Sequence, residues 1–263
     1  MEEYKKFAVS VAKESGKIMM DYFKIGMNRE YKKDTSTVTQ ADFKINSLVI
    51  ERVSKLFPTH SVLGEEESNI KKGSEYVWVC DPIDGTIPFS LGIPISVFSL
   101  ALVKNGEVIL GVVYDPFCDR LYFAEKGKGA YLNDKKIKVS NKSSLEMARI
   151  EYEMYNRSKY DLQPLINELK KYNALLVNFA AYINPSMLVA AGEFTATLFP
   201  HITAHDAATV KIIVEEAGGK VTDIFGNEQR YDQPVNGLIA SNGILHNKLV
   251  TLAKQFVVVQ NKN

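Results

Sequence analysis

Apolar residues return every three or four positions through Tyr4, Phe7, Ala8, Val11, Ala12, Ile18, Met19 and Tyr22, which predicts an amphipathic helix near the start of the chain. A polar segment, 28–39, carries Arg29, Lys32 and Lys33 and reads as an extended loop or hairpin. The helical spacing resumes at Ala41 and runs through Ile45, Leu48, Val49, Val53 and Leu56 until Pro58 stops it. There the period shortens. Residues 61–64 and 76–80 are apolar runs of strand length, each leading directly into carboxylates. Runs at 97–103 and 108–114 flank Lys104-Asn105-Gly106-Glu107, where Asn-Gly suits the left-handed backbone of a tight hairpin. Strands at 121–125, 129–132 and 137–139 extend this antiparallel sheet, with turns at Asp115-Pro116 and Asn133-Asp134.

Beyond about Asn141 the pattern alternates between α and β. It predicts helices at 161–172 and 185–191, a strand at 195–199, and a strong helix at 205–217 that Gly218-Gly219 ends. Strands at 220–222 and 237–240 and a last helix at 245–256 follow. The expected class is α+β, with an antiparallel N-terminal half and a mixed C-terminal half. A boundary near 140 separates lobes 1–140 and 141–263 of one compact unit.

Length and charge narrow the function. A chain of 263 residues can bury a substantial core. Its 32 Lys+Arg against 31 Asp+Glu leave a formal charge of +1, which excludes a dedicated polyanion surface and hence a nucleic-acid partner. Cys80 and Cys118 form neither a disulfide framework nor a zinc spacing, so a reducing, cytoplasmic location is expected. Met1-Glu2-Glu3-Tyr4 does not resemble a secretory signal. Two uncharged stretches, 85–103 and 172–192, approach the ~20 residues of a membrane span. Pro88 and Pro94 in the first, and Asn173, Asn178, Asn184 and Pro185 in the second, favour buried core instead.

The chemistry lies in three acidic blocks: Gly64-Glu65-Glu66-Glu67, Asp81-Pro82-Ile83-Asp84-Gly85-Thr86 and His205-Asp206-Ala207-Ala208. In a continuous strand Asp81 and Asp84 face opposite sides. Pro82 is expected to end the strand, and the turn that follows can bring both carboxylates and the Ile83 carbonyl to one point. Gly85 permits close backbone approach, and Thr86 can open a helical turn whose N–H groups seat phosphate. Converging carboxylates without a basic partner call for hard divalent cations, and oxygen ligands favour Mg²⁺ or Mn²⁺ over zinc. Glu65–Glu67 alone would be an ordinary solvated turn. The coincidence of turn, ligand and phosphate-seat features in Asp-Pro-x-Asp-Gly-Thr is more specific.

These blocks resemble the inositol monophosphatase superfamily of metal-dependent, lithium-sensitive phosphatases. Gly64-Glu65-Glu66, Trp78 through Thr86, and Asp206-Ala207-Ala208 leading to Glu216-Ala217-Gly218-Gly219 appear in the family's order. Gly111 through Pro116 and Gly127-Lys128-Gly129-Ala130 match as well, and the likeness weakens over about 141–178. The resemblance implies a layered αβαβα sandwich and two or three Mg²⁺ per site. It implies that Glu65, Asp81 and the Ile83 carbonyl hold one cation, and Asp81, Asp84 and Asp206 a second. Glu65 and Thr86 would position and help deprotonate the attacking water, and the Gly85 and Thr86 N–H groups would hold the phosphate. Asp42 matches a position near a weaker third metal, which the 32–37 loop helps enclose; for Asp42 alone a helix N-cap is an equal reading. The substrate is then a small phosphate ester, and the family's common state is a homodimer.

Some positions depart from the family. His205 replaces its usual Trp, and Ile87-Pro88-Phe89 replaces Thr-Asn-Phe. Seven positions before Asp206, where inositol-specific members place an acid, stands Phe199, which cannot accept hydrogen bonds from ring hydroxyls. A sugar bisphosphate such as fructose 1,6-bisphosphate, 3′-phosphoadenosine 5′-phosphate or histidinol phosphate therefore joins inositol monophosphate as a candidate substrate. Two rivals differ in class. An aspartyl-phosphate phosphatase needs its aspartates at i and i+2, whereas here they stand at i and i+3. A non-catalytic cation- or phosphate-binding protein has no need of Glu65 and Thr86.

Overall fold

The computed structural model describes residues 1–27, 29–31, 37–154 and 158–260. The 32–36 part of the loop expected beside a third cation lies outside them. The first apolar stripe forms α1 (Glu2–Tyr22), burying Phe7, Val11, Ala12 and Met19, with Glu2 and Glu3 in its first turn, where acids complement the helix dipole. The polar segment carries a short antiparallel pair, β1 (Glu30–Tyr31) with β2 (Thr37–Val38). The second stripe forms α2 (Gln40–Leu56), opened by a capping box of Thr39 and Asp42. Asp42 is thus the third helical residue of the box and Thr39 is the N-cap, which corrects the reading of Asp42 as a cap.

The first sheet follows sequence order: β3 (Ser61–Gly64), β4 (Tyr76–Asp84), β5 (Val97–Lys104), β6 (Glu107–Asp115), β7 (Arg120–Glu125), β8 (Gly129–Leu132) and β9 (Lys135–Lys136). Only the β3–β4 pair among these seven is parallel. The short helix α3 (Thr86–Ser90) follows β4. Asn105 and Gly106 both have positive φ, 51° and 87°, as do Asn133 and Asp134 at 45° and 63°. Both hairpins therefore have the tight turn that suits the strands' twist. The second turn lets pairing restart at once, Leu132 with Lys135. The strand expected at 137–139 is accordingly replaced by β9.

The second half supplies β10 (Arg149–Tyr152), β11 (Tyr160–Asp161), α4 (Gln163–Lys171), β12 (Leu175–Val177), α5 (Ile183–Ala190), β13 (Ala196–Phe199), α6 (Ala204–Glu216), β14 (Lys220–Thr222), β15 (Leu238–Ser241), α7 (His246–Phe256) and β16 (Val258–Val259). The second sheet has the order β12-β10-β13-β15-β14. It is parallel from β12 to β13 and antiparallel beyond; β11 and β16 form a separate pair.

The layers follow from which faces are apolar. Helices α1 and α2 cover the outer face of the first sheet, and α6 touches β4 through β8 on one side and β14 and β15 on the other. With α5 beside it, α6 forms the middle layer, while α4 and α7 cover the far face around Leu165, Leu169, Leu249 and Leu252. This is the αβαβα sandwich. The two uncharged stretches become α3 with β5, and β12 with the buried α5. Among the described residues no helix is long and apolar enough to cross a membrane.

The middle layer sits close to the first sheet because Gly111 has no side chain. A Cβ there would stand 2.7 Å from Ile212 Cγ2 of α6. Gly111→Val is expected to destabilise the fold by about 1–3 kcal/mol through overpacking, read as a lower melting temperature. An unchanged melting temperature would mean that α6 can shift freely.

Candidate metal and phosphate site

The acidic motif converges by a route different from the expected one. Strand β4 does not stop at Pro82. It pairs with β5 at Asp81 with Ser99 and again at Asp84 with Val97, with a register shift between. Over that interval β4 advances three residues and β5 only two, so β4 carries a bulge. Pro82, which has no N–H to give the ladder, falls inside it. The extra residue reverses the strand's alternation, and Asp81 and Asp84 come to the same side. The Asp81 carboxylate accepts the Ile83 N–H at 2.9 Å, which holds the bulge in shape.

Neighbouring elements bring the other groups. The parallel register pairs Gly64 with Cys80, so Glu65 follows beside Asp81, and its N–H donates to the Cys80 carbonyl at 3.2 Å. Asp206 lies in the first turn of α6 in a second capping box: its Oδ2 accepts the Thr203 N–H at 3.0 Å and the Thr203 hydroxyl at 2.7 Å. Asp42 does the same in α2, accepting from Thr39 N–H at 2.8 Å and Thr39 Oγ1 at 2.6 Å. In both boxes Oδ2 serves the helix and Oδ1 stays available. A buried hydroxyl contact, Ser99 Oγ to Thr209 Oγ1 at 2.8 Å, ties α6 to β5 one turn beyond Asp206. Three N–H groups at the start of α5 (Tyr182, Ile183 and Asn184) donate to Asp84 at 2.7, 2.9 and 2.9 Å.

Asp81, Asp84 and Asp206 are buried, and one carboxylate oxygen from each lies within 4.8 Å of the others. Glu65 stands outside this tight group, at the adjacent strand end. Asp42 is turned instead toward Thr86, whose hydroxyl lies 3.4 Å from Asp42 Oδ1 and donates to the Ile83 carbonyl at 3.0 Å. The sequence reading missed that contact. Its available signal was the pair of Thr-x-x-Asp boxes, Thr39 to Asp42 and Thr203 to Asp206. Gly85 takes a left-handed φ of 76° as the N-cap of α3, a conformation glycine adopts without strain.

Electrostatics shows what the group lacks. Burial raises the Asp81 carboxyl well above its usual range, and the charges of Glu65, Asp206 and Asp84 add to this. Burial lifts Asp84 to about 7 despite its three N–H donors. Asp42 likewise rises to about 7, first through burial and against its bonds from Thr39. Among the described residues the three-carboxylate group has no Lys or Arg ion pair, and only His205 Nε2 approaches Asp206 Oδ2, at 3.8 Å. His205 therefore lies beside the site. Phe199 is fully buried in the middle-layer core and meets the Tyr182 ring edge-on at 4.9 Å. Crowded oxygen donors without a basic counter-charge fit a hard divalent cation.

The site is thus one suited to a divalent cation, and comparison with known proteins gives the class. The model of the inositol monophosphatase family matches residues 1–257. The chain is 34% identical to the fructose-1,6-bisphosphatase/inositol-1-monophosphatase of Aquifex aeolicus, over 98% of each chain. It is 31% identical to the histidinol-phosphatase of Chlorobaculum parvum, over 92% of this chain and 93% of that one. The solved Thermotoga maritima IMPase superposes with a TM-score of 0.87 at 31% identity, covering 97% of this chain and 98% of that one. The chain belongs to the inositol monophosphatase family, and it is a phosphoric monoester hydrolase.

Proposed function

We propose that the chain hydrolyses a small phosphomonoester with two or three Mg²⁺ per site, Mn²⁺ being able to replace them. Glu65, Asp81 and the Ile83 carbonyl hold the first cation, Asp81, Asp84 and Asp206 the second, and Asp42 stands near a weaker third. The observation that carries this reading is the β4 bulge, which turns Asp81 and Asp84 to one side beside Asp206. Bound Mg²⁺ supplies a lower pKa for the attacking water and charge neutralisation at the leaving oxygen.

The chain's own residues do the rest. Glu65 orients the water, and the Gly85 and Thr86 N–H groups hold phosphate oxygens at the start of α3. Thr86 takes the water's proton while passing its own toward Asp42, whose carboxyl near pH 7 suits a base. Asp206 lies where the leaving alcohol emerges. In this reading the 1–140 lobe carries the main metal site and the 141–263 lobe supplies Asp206 and the substrate contacts. Thr86→Ala is expected to lower kcat by about 10²-fold or more with KM little changed, measured as phosphate release. Equal loss in KM would assign Thr86 to binding alone.

For the alcohol, relatives named for inositol monophosphate, fructose bisphosphate and histidinol phosphate define the panel, with 3′-phosphoadenosine 5′-phosphate added. Mg²⁺-dependent phosphate release from at least one ester tests the whole reading. No release from any of them would sink it. We also propose millimolar-range lithium inhibition, a cytoplasmic location and a homodimer. In support of the dimer, Ile87, Leu91 and Ile93 are exposed together around α3. In the 172–192 stretch α5 is core and Leu175 on edge strand β12 is exposed.

A further inference from the structure

On the β5 face that meets α6, an apolar row is interrupted by one hydroxyl. By alternation, Val97, Ser99, Ala101 and Val103 point toward the middle layer, where the three apolar members of the row pack in its core. Phe98, Leu100 and Leu102 pack on the other side with α1 and α2. Ser99 and Thr209 of α6 are both fully buried, and their hydroxyls meet at 2.8 Å. A threonine inside a helix can bond back to its own turn, as Thr251 of α7 does to the Asn247 carbonyl at 2.8 Å. The Thr209 hydroxyl instead joins two layers. Stability alone gives no reason for the pair, because replacing both partners of a buried hydrogen bond by apolar groups of like shape is nearly neutral.

The pair stands between the two elements that bring carboxylates together. Ser99 is the β5 partner of Asp81 in the sheet register, and residues opposed in a sheet share a face. Thr209 follows Asp206 by three residues on α6, so the two are neighbours on one helix face. The surrounding contact is smooth. Ala207 and Ala208 pack in one cluster with Ala101, and a Cβ on Gly111 would lie only 3.6 Å from Thr209 Cα. Apolar surfaces attract without direction and do not by themselves fix how far a helix slides, whereas a hydrogen bond holds a distance and an angle. At its far end α6 is held by Glu216, which accepts the Gly127 and Gly129 N–H groups at 2.6 and 2.7 Å. That hold is about 15 Å along the helix from Asp206 and is made to a turn, not to a strand that carries a carboxylate of the site. A slide of about 1 Å displaces Asp206 by as much, while metal–oxygen distances must hold to about 0.2 Å and Mg²⁺ accepts little distortion.

We propose that Ser99 and Thr209 are positioning residues for the second cation: their hydroxyl pair fixes α6 along its axis against β5 and so sets the distance of Asp206 from Asp81 and Asp84. This rests on the two-cation reading of the site and adds two residues to it that touch neither metal nor substrate. The ligands proposed for the first cation, Glu65, Asp81 and the Ile83 carbonyl, all come from the first sheet and its strand ends. Loss of the pair therefore leaves the first cation in place and loosens the second.

The test is the double variant Ser99→Ala/Thr209→Val, which removes both hydroxyls and leaves neither unpaired. Its melting temperature in chelator is expected to stay within about 3 °C of wild type. It should bind a first Mn²⁺ as wild type does and a second about 10- to 100-fold more weakly, the range for groups that orient metal ligands. Electron paramagnetic resonance of the free ion counts the two steps. Thr209→Ser, which keeps the hydroxyl, should bind both ions as wild type does. Thr209→Val alone, read in the same way, serves should the double variant not fold. Metal-free crystals give a readout independent of binding: the Asp81–Asp206 carboxylate separation should change by about 0.5 Å or more, the tolerance of a working site. Wild-type affinity at both steps, equal weakening of both, or an unchanged separation overturns the inference. If wild type binds no second ion, the two-cation reading fails, and the separation still decides whether the pair positions α6.

Discussion

Asp81→Asn is expected to reduce Mg²⁺-dependent phosphate release by about 10³-fold or more, the scale of several kcal/mol of lost charge stabilisation in the transition state. Asp81 is the residue shared by both proposed cations, so one substitution weakens two ligand sets. The same change should make the metal-free protein more stable. Asp81 is a buried acid surrounded by Glu65, Asp206 and Asp84, and Asn removes the charge while keeping the shape. A rise in melting temperature in chelator of about 2–4 °C corresponds to about 1 kcal/mol in a chain of this size. The opposed signs exclude a trivial cause: a misfolded variant would lose both activity and stability. Near-normal Mg²⁺-dependent turnover by Asp81→Asn would falsify the assignment of the site.

The second large effect is in pH. The Asp84 carboxyl lies at about 7 in the metal-free fold, against an ordinary 3.8. A cation must displace the proton from such a group. Apparent Mg²⁺ affinity is therefore expected to rise about tenfold per pH unit for each proton displaced, the Asp84 share of that rise ending at about pH 7. Calorimetric titration in two buffers of different ionisation heat counts the protons; zero release at pH 6 would contradict the reading. Metal-free stability follows the same groups. Asp42 and Asp84 have folded pKa values above their unfolded ones, so their contribution falls as pH rises from about 4 to about 7. His246 acts in the other direction. Burial lowers it to about 4, between Thr222 Oγ1 at 3.0 Å and Ser241 Oγ at 2.9 Å, so its contribution is lost as pH falls from about 6.5 to about 4. Because His246 is common to loaded and metal-free protein, the difference between Mg²⁺ and chelator isolates the aspartates.

Much of this architecture was readable from local pattern. The 3.6-residue stripes of α1 and α2 and the Asn-Gly turn at 105–106 carry their own physical reasons. The Asp81–Thr86 block announced the chemistry and, by resemblance, the layered fold. Strands β10 and β12 were not readable. Arg149-Ile150-Glu151-Tyr152 has charged residues at two of four positions, and β12 is only three residues long, so pairing across the sheet decides both. The bulge in β4 is also a partnership property. Pro82 was expected to end the strand, but β5 resumes pairing after one skipped residue and the strand goes on. The Asp42–Thr86 contact joins elements that are distant in sequence.

The two capping boxes change what a mutation or a descendant chain can tell. Because Asp42 and Asp206 each commit one oxygen to the start of a helix, replacing either with Ala would fray α2 or α6 along with the site. Activity loss there is informative only beside a measurement of helix content. A copy of this chain that had abandoned catalysis would still be held to these aspartates by its need to begin two helices. Their survival therefore reports on folding, and an inactive relative can keep them and look like an enzyme.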